Sequence, residues 1–343
     1  MEKRIVSTFD EATRILGCPH AIANRKREDY DKIARIDPLV AAQVERFFQQ
    51  WPMYNDGERH LAVRKRLLES ISSYEYKQRD MVRASLAELF RRDRITADDL
   101  MMAVLRWHSM YFGVSLEADL ELMQMSDPLI ELVIFHDYTK VDEAAKALSY
   151  IDNFFGSERF ASDGLVGALI RRGNDVGAIM NLLIDSYTPM IAAATSVLYR
   201  AAELEAGRDL SRPERERFLL DALGKMPPFR FINRLYPDEQ EQPRWVGIDV
   251  LRCNGALLEK NNKREALGVT FGSGRHMCLG FAPAIDFLDD LLVEARSSKF
   301  ERVFEVEGAI DLTGPVSTVR DFNARKRQRE LSTAPSLAQP RWR

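Results

Sequence analysis

Phe271-Gly-Ser-Gly-Arg-His-Met-Cys-Leu-Gly280 is the segment whose reading decides the fold. A free cysteine is most often a small buried apolar residue, but the neighbours of Cys278 are unusual for that role. Gly272, Gly274 and Gly280 allow tight turns and close approach of the backbone to a flat group. Phe271 offers a ring to pack on the sulfur's side of such a group. Beyond Cys278 the sequence becomes apolar and helical, with Pro283 in the tolerated first turn. The arrangement aims the positive end of a helix and several unpaired N–H groups at the sulfur, which favours thiolate over thiol and tempers its electron donation. A metal ligand needs that form. The competing reading is a glycine-rich turn before a helix, such as a phosphate loop, but neither G-x-G-x-x-G nor a Walker lysine is present.

The rest of the chain bounds the context. Its 343 residues, 45% hydrophobic, can bury a substantial core. The 49 basic and 52 acidic residues nearly cancel to −3, so no net pull toward nucleic acid or an anionic membrane follows. Cys18, Cys253 and Cys278 are too few and scattered for a disulfide framework and form no CxxC pair. A reducing, cytoplasmic setting is expected. The first ten residues lack a signal-peptide core, and no stretch is expected to supply the roughly 20 apolar residues of a membrane helix.

Apolar residues recur at three- and four-residue spacing through Val82–Phe90, Leu100–Tyr111, Leu129–Phe135 and Ala144–Phe155, predicting helices. Thr96 is a predicted helix cap, and Ser126-Asp-Pro128 predicts another helix start. The longest candidate, Val176–Ala202, is apolar on nearly all sides and so runs through the middle of a domain, with a kink expected at Pro189. Strand signal is confined to Trp245–Leu251 and Val303–Leu312, with Gly308 as the expected turn. A mainly α protein with a small β portion follows. Residues 1–322 are expected to form one domain and the polar, basic segment 323–343 a loose tail.

Phe271, Gly272, Gly274, His276, Cys278 and Gly280 together resemble the F-G-x-G-x-H-x-C-x-G haem-binding loop of bacterial cytochrome P450 proteins. The resemblance implies that Cys278 is the proximal ligand of a haem b iron and that His276 contacts a haem propionate. Asp56-Gly-Glu-Arg-His60-Leu-Ala-Val-Arg64 is similar to the family's D-x-x-x-H-x-x-x-R segment. His60 and Arg64, four apart, share a helical face and can grip an anionic propionate together; alone, the segment would read as a surface helix with a basic stripe. Pro227-Pro228-Phe-Arg-Phe-Ile-Asn-Arg234 is similar to the family's P-P-x-x-x-x-x-R segment, which nominates Arg234 for the other propionate. With Ile5–Leu16 resembling the family's first strand and helix, the likeness runs to about Val319. It implies a cytochrome P450-like fold whose N-terminal strands and meander region are trimmed.

Two departures bear on function. Where the family carries Glu-x-x-Arg, this chain has Asp221-Ala-Leu-Gly224, so Asp221 needs another partner or solvent. In the long helix, Asp185-Ser-Tyr-Thr-Pro-Met190 stands where the family's acid–alcohol pair relays protons during oxygen activation. In the register set by Val176-Gly177, Thr188 and Pro189 replace the acid and the alcohol; two other registers stay open, Asp185 with Ser186 or Thr195 as the alcohol, and Asp185 with Thr188, three apart, could form a relay in changed order. These side chains could equally bond to carbonyls freed at the Pro189 kink. The resemblance implies a haem-thiolate oxidoreductase, a monooxygenase acting on an organic small molecule of specialised metabolism, with a ferredoxin-type electron donor docking on Arg275 and Arg64–Arg66. The altered helix leaves room for a peroxide-driven, rearranging or dehydrating enzyme, and Asp221 with Gly224 for a non-catalytic haem- or partner-binding protein. His20, His108 and His136 are expected to be ordinary hydrogen-bonded residues, and Met101, Met102, Met123 and Met125 to line a core or pocket.

Overall fold

Helix α10, Val176–Ala201, is the longest of the described helices and packs against several of the others. The structure is a computed structural model that describes residues 4–23, 27–154, 163–202, 209–237, 243–258, 269–297, 304–311 and 318–326. Before α10 come β1 (Arg4–Val6), α1 (Phe9–Gly17), β2 (Ile22–Ala23), α2 (Arg27–Ala34), α3 (Pro38–Phe48) and α4 (Gly57–Ser72). They are followed by α5 (Arg79–Leu89), β3 (Arg94–Thr96), α6 (Ala97–Phe112), α7 (Leu116–Ile134), α8 (Val141–Phe154) and α9 (Leu165–Arg171). After α10 come α11 (Arg212–Lys225), β4 (Phe231–Pro237), β5 (Pro243–Asp249), α12 (Val250–Leu258), α13 (Phe281–Ser297), β6 (Phe304–Asp311) and β7 (Thr318–Lys326).

The predicted helices are present, with boundaries set by their caps. Thr96 closes a reciprocal capping box with Asp99 at the start of α6. Pro128 does not start a helix but lies inside α7, which begins about three turns earlier, where the Ser115 side chain accepts from the Ala118 N–H. Asp175 caps α10, which continues past Pro189 to Ala201. By length and mean hydropathy (1.3) α10 could cross a membrane, contrary to expectation from the sequence, but it is the helix around which α6, α11 and α13 are packed. Its residues from Ala192 to Leu198 are all buried, as a core helix requires.

A sheet of order β1-β5-β4-β2 and a second of order β3-β7-β6 flank the helices. β1 runs parallel to β5, while β4 and β5 form an antiparallel hairpin whose outer edge pairs with β2, placing Ala23 opposite Arg234. Gly308 is not a turn: it sits within β6, where the register against β7 shifts between Glu307 and Ala309 as a bulge. Asn323 to Lys326, expected to begin the loose tail, pair in β7; residues 327–343 lie outside the described residues, as do Phe155, Val303 and Leu312. One large apolar core lies among the helices, and a smaller one (Val6, Ile15, Val246, Ile248, Cys253) joins α1 and α12 to the first sheet.

The substituted Asp221 finds two cations. Lys225 Nζ lies 3.0 Å and Arg200 of α10 3.5 Å from Asp221 Oδ2, so the acid ties α11 to α10. At Gly224 the missing arginine is replaced by a different link: buried Asn254 donates to the Gly224 carbonyl (3.0 Å) and to Thr270 Oγ1 (2.9 Å). Helix α11 is thereby held to α12 and to the segment that leads into Phe271.

Candidate functional site

The loop containing Cys278 takes its shape from two glycines. Gly272 and Gly274 adopt φ of +70° and +66°, where an L side chain is strained. A Cβ on Gly274 would also stand 2.8 Å from the Leu16 carbonyl, so only glycine lets the loop rest on the end of α1. The Cys278 N–H donates to the Phe271 carbonyl at 2.8 Å, closing the loop, and the Phe271 ring meets Phe281 edge-on at 5.0 Å. Helix α13 then starts at Phe281, with Pro283 in its first turn and the Gly280 carbonyl accepting from Ala284. The Gly280 N–H donates to the sulfur, while a Cβ on Gly280 would stand 3.8 Å from Sγ.

Cys278 is exposed, yet enough protein lies around it that burial opposes its ionisation. An accessible atom at the bottom of a recess has both properties. Asp185 on α10 has the same character: enclosed by protein, it retains accessible surface. Its charge is felt at Cys278 and at the buried Tyr54. Thr188, one turn along the same helix face, is exposed although its helix is the core of the fold. Asp185 and Thr188, three apart on α10, share a helix face. Ser186 and Thr195 do not join them. Ser186 Oγ donates to the Leu183 carbonyl and lies 2.8 Å from His108 Nε2 of α6, and buried Thr195 donates to the Ile191 carbonyl at 2.8 Å. His108 in turn donates through Nδ1 to buried Asp119 at 2.7 Å, and Asp119 also accepts from Tyr187. His108 is thus a hydrogen-bonded core residue, whereas His136 is exposed, its Nδ1–H donating to Asp29 at 2.8 Å.

On the other side of the sulfur the charges converge. Asp56, which precedes α4, accepts from the Ala23 N–H of β2 (2.8 Å) and from His276 Nε2–H (3.0 Å), and lies 3.9 Å from Arg275. Burial would raise its pKa. The bonds from His276 and Ala23 and the charges of His276 and Arg275 outweigh that and hold the carboxyl below its ordinary range. The His60 Nε2–H donates to the Arg275 carbonyl at 3.1 Å, and the His60 and His276 rings lie 4.3 Å apart. Arg64 donates to the Met277 carbonyl and Arg234 to that of Asn233.

Two features of this cluster are unsatisfied. Arg64 and Arg234 are half-buried cations, with no carboxylate at ion-pairing distance among the described residues. Desolvation lowers both, Arg234 to about 10, so both remain charged at neutral pH. The Nδ1 atoms of His60 and His276 are buried without a partner. Buried cations need anions, and a buried ring nitrogen needs a polar neighbour. A group with two carboxylates beside Cys278, such as haem with its two propionates, supplies the anions, and would meet an Nδ1 atom only where that atom also carries a proton. No group of three His, Cys, Asp or Glu side chains is poised to bind metal among the described residues. A porphyrin iron brings its other ligands with it and so fits a site that offers one cysteine. Burial, with the charge of Asp185 opposing ionisation, pushes the Cys278 thiol up to about 11 against the pull of the Gly280 N–H and Arg64. A bound cationic metal reverses that balance and stabilises the thiolate.

The residues named from sequence thus divide. His60, Arg64, Arg234, His276 and Cys278 come together across α4, β4 and the cysteine loop, with Phe271, Gly272 and Gly280 shaping the loop. Arg275 is not a docking residue: it donates to the Pro19 (2.6 Å) and Ala21 (2.8 Å) carbonyls and faces Asp56. Arg64 is likewise turned inward, leaving exposed Lys65 and Arg66. Asp56 itself carried no role in the sequence reading; its position just before a helix start was the available signal.

The described elements and their order define the cytochrome P450 fold, which this chain has. No protein-family model and no curated protein matches its sequence. Among solved structures, epothilone B-bound cytochrome P450epoK superposes with a TM-score of 0.71 at 12% identity, over 94% of this chain and 90% of that one. The versatile cytochrome P450 CYP109B1 of Bacillus subtilis superposes at 0.66 with 13% identity, over 94% and 92%. A structure from a study of unusual cytochrome P450-like monooxygenases of microbial secondary metabolism also gives 0.66, at 12% identity over 94% and 92%.

Asp185 sets a pH signature for the protein free of haem. Desolvation raises its pKa from 3.8 to about 7. The folded state therefore keeps a proton that the unfolded chain gives up over that interval, and the stability contributed by this group falls as pH rises from about 4 to about 7. Asp185→Asn is expected to raise the unfolding free energy at pH 8 by up to about 4 kcal/mol, less where water screens the charge, and to leave it unchanged at pH 4. Urea unfolding at the two pH values checks this; an equal effect at both would contradict the assignment.

Proposed function

We propose that the protein is a haem-thiolate oxidoreductase that oxidises an organic small molecule, with Cys278 as the iron's protein ligand. The observation that carries this reading is the pair of half-buried arginines, Arg64 and Arg234, without carboxylate partners among the described residues and standing beside Cys278. When bound, haem would supply the redox chemistry that no side chain here provides. The protein's own residues would do the rest. Arg64 and Arg234 hold the two propionates by charge-assisted hydrogen bonds, and His60 and His276 present their Nδ1 atoms to the same region. Asp56 fixes His276 through Nε2, as an outer partner orients a ligand-side ring. The Gly280 N–H donates to the Cys278 sulfur and tempers its basicity.

On the distal side Asp185 can hold a proton on its carboxylate near neutral pH, and Thr188 presents a hydroxyl on the same face one turn later. This is an acid and an alcohol in altered order, and it supports monooxygenation with electrons from a ferredoxin-type donor, for which exposed Lys65 and Arg66 are the remaining basic residues of the expected docking face. Association of the fold with unusual monooxygenases of microbial secondary metabolism points the same way. A second reading rests on Pro189, which stands at the position expected for the alcohol: a haem enzyme driven by peroxide, or one that rearranges its substrate without external electrons.

Arg64→Ala and Arg234→Ala should each weaken haem retention about 10- to 100-fold, measured by transfer of haem to apomyoglobin; retention unchanged in both would remove the observation on which the reading stands. Across a panel of lipophilic substrates, product should form with reduced ferredoxin and dioxygen. Product with peroxide alone, or with neither, would favour the second reading.

A further inference from the structure

Arg275 is the residue of the cysteine loop that the functional reading leaves without a task. Its side chain, 21% exposed, reaches the turn that follows α1: Nη2 donates to the Pro19 carbonyl (2.6 Å) and the Ala21 carbonyl (2.8 Å), and lies 3.4 Å from that of Cys18. Both hydrogens of that nitrogen are thus engaged by backbone oxygens. Carbonyls gathered at the C-terminal end of a helix are a favourable place for a cation. The Arg275 carbonyl, on the other side, accepts from His60 of α4 at 3.1 Å.

The receiving turn is itself fixed. Ile15 and Leu16 of α1 are buried in the smaller core with Val246 and Ile248 of β5. The Ala21 N–H donates to the Cys18 carbonyl at 3.2 Å, and Ile22 and Ala23 pair with Leu235 and Arg234 of β4. Gly274, beside Arg275, rests so closely on the same segment that a Cβ there would stand 2.8 Å from the Leu16 carbonyl. Two adjacent loop residues are therefore seated on one turn, Gly274 by contact and Arg275 by charge-assisted hydrogen bonds. Cys278 follows three residues later in the same loop. A ligating atom has to be held to within about 0.5 Å by the residues around it, so a loop that loses its seat loses its hold on the sulfur.

From these contacts we infer that Arg275 is a positioning residue for iron ligation: it hangs the cysteine loop on the turn at Cys18–Ala21 and thereby keeps Cys278 at the iron. The inference rests on the haem-thiolate reading above. Arg64 and Arg234, which hold the propionates in that reading, do not depend on Arg275 for their place, since they stand on α4 and β4. Removing Arg275 therefore separates two events: haem stays in the protein while the sulfur leaves the iron. Lysine replaces the arginine only in part, because its ammonium is a point charge and lacks the planar fork of donors.

The test uses the haem-loaded full chain, reduced under carbon monoxide, and follows the red-shifted band of thiolate-ligated haem with time. Arg275→Ala is expected to lose that band at least about tenfold faster than the wild-type protein at equal haem content, with Arg275→Lys between the two. Hydrogen exchange read by mass spectrometry should quicken at 18–23 and 271–278 in Arg275→Ala and stay unchanged in α10. Band loss at the wild-type rate, unchanged exchange at 18–23, or faster exchange throughout the protein would overturn the inference, the last because it marks general destabilisation. Should Arg275→Ala take up no haem, the same two measurements are made on Arg275→Gln, which keeps one donor group without the charge; wild-type behaviour there would overturn the inference equally. A wild-type protein that holds haem without the red-shifted band would instead sink the functional reading beneath it, and that is seen before any variant is compared.

Discussion

Asp56 is the constraint on which the proximal half of the site depends. One carboxylate gathers the Ala23 N–H of β2, the imidazole of His276 in the cysteine loop and the guanidinium of Arg275, and it does so from the residue just before α4, the helix that carries His60 and Arg64. Its side chain is therefore unavailable as an ordinary helix cap, and none of its oxygens bonds the start of α4. The first sheet enters the same arrangement through Ala23, which pairs with Arg234. Charge-assisted hydrogen bonds to a buried carboxylate are among the stronger polar interactions a protein makes. Here they bring four segments distant in sequence to within reach of one sulfur atom.

The electrostatic consequence is an asymmetric site. On the side of α4 and β4 stand two cations without local carboxylate partners, which can be sustained at low cost only if an anionic group meets them. Helix α10 presents a carboxyl, that of Asp185, with no partner among the described residues. The cysteine lies between, its thiol disfavoured from ionising by burial and by Asp185 and favoured by the Gly280 N–H and Arg64. Such opposed fields mark functional sites more often than structural ones.

The proximal side was legible in the sequence because its chemistry is local. Six residues of the cysteine loop, and the four-residue spacing of His60 and Arg64, need only a turn and a helix to become meaningful. Asp56 was quoted as part of that pattern but not understood, since its partners Ala23 and His276 lie 33 and 220 residues away. The distal side was legible only as a set of alternatives. Asp185, Ser186, Thr188 and Thr195 lie on one helix, and which of them meets the site depends on helix rotation, fixed here by tertiary contacts such as the approach of His108 to Ser186. Helix existence was read well from periodicity, whereas boundaries such as that of α7 were not, because a proline can be accommodated inside a helix packed on both sides. Gly308 was read as a turn because a glycine between two strand-like runs looks the same whether it reverses the chain or makes a bulge.

Everything proposed for this protein passes through one bond, that between the Cys278 sulfur and a haem iron. The most direct measurement is the absorption spectrum of the reduced, carbon monoxide-treated protein after haem loading, compared with that of Cys278→Ala. The account predicts the red-shifted band of thiolate-ligated haem in the wild-type protein and its loss in the variant. A haem-loaded wild-type protein without that band, or a variant that keeps it, would contradict the assignment of Cys278.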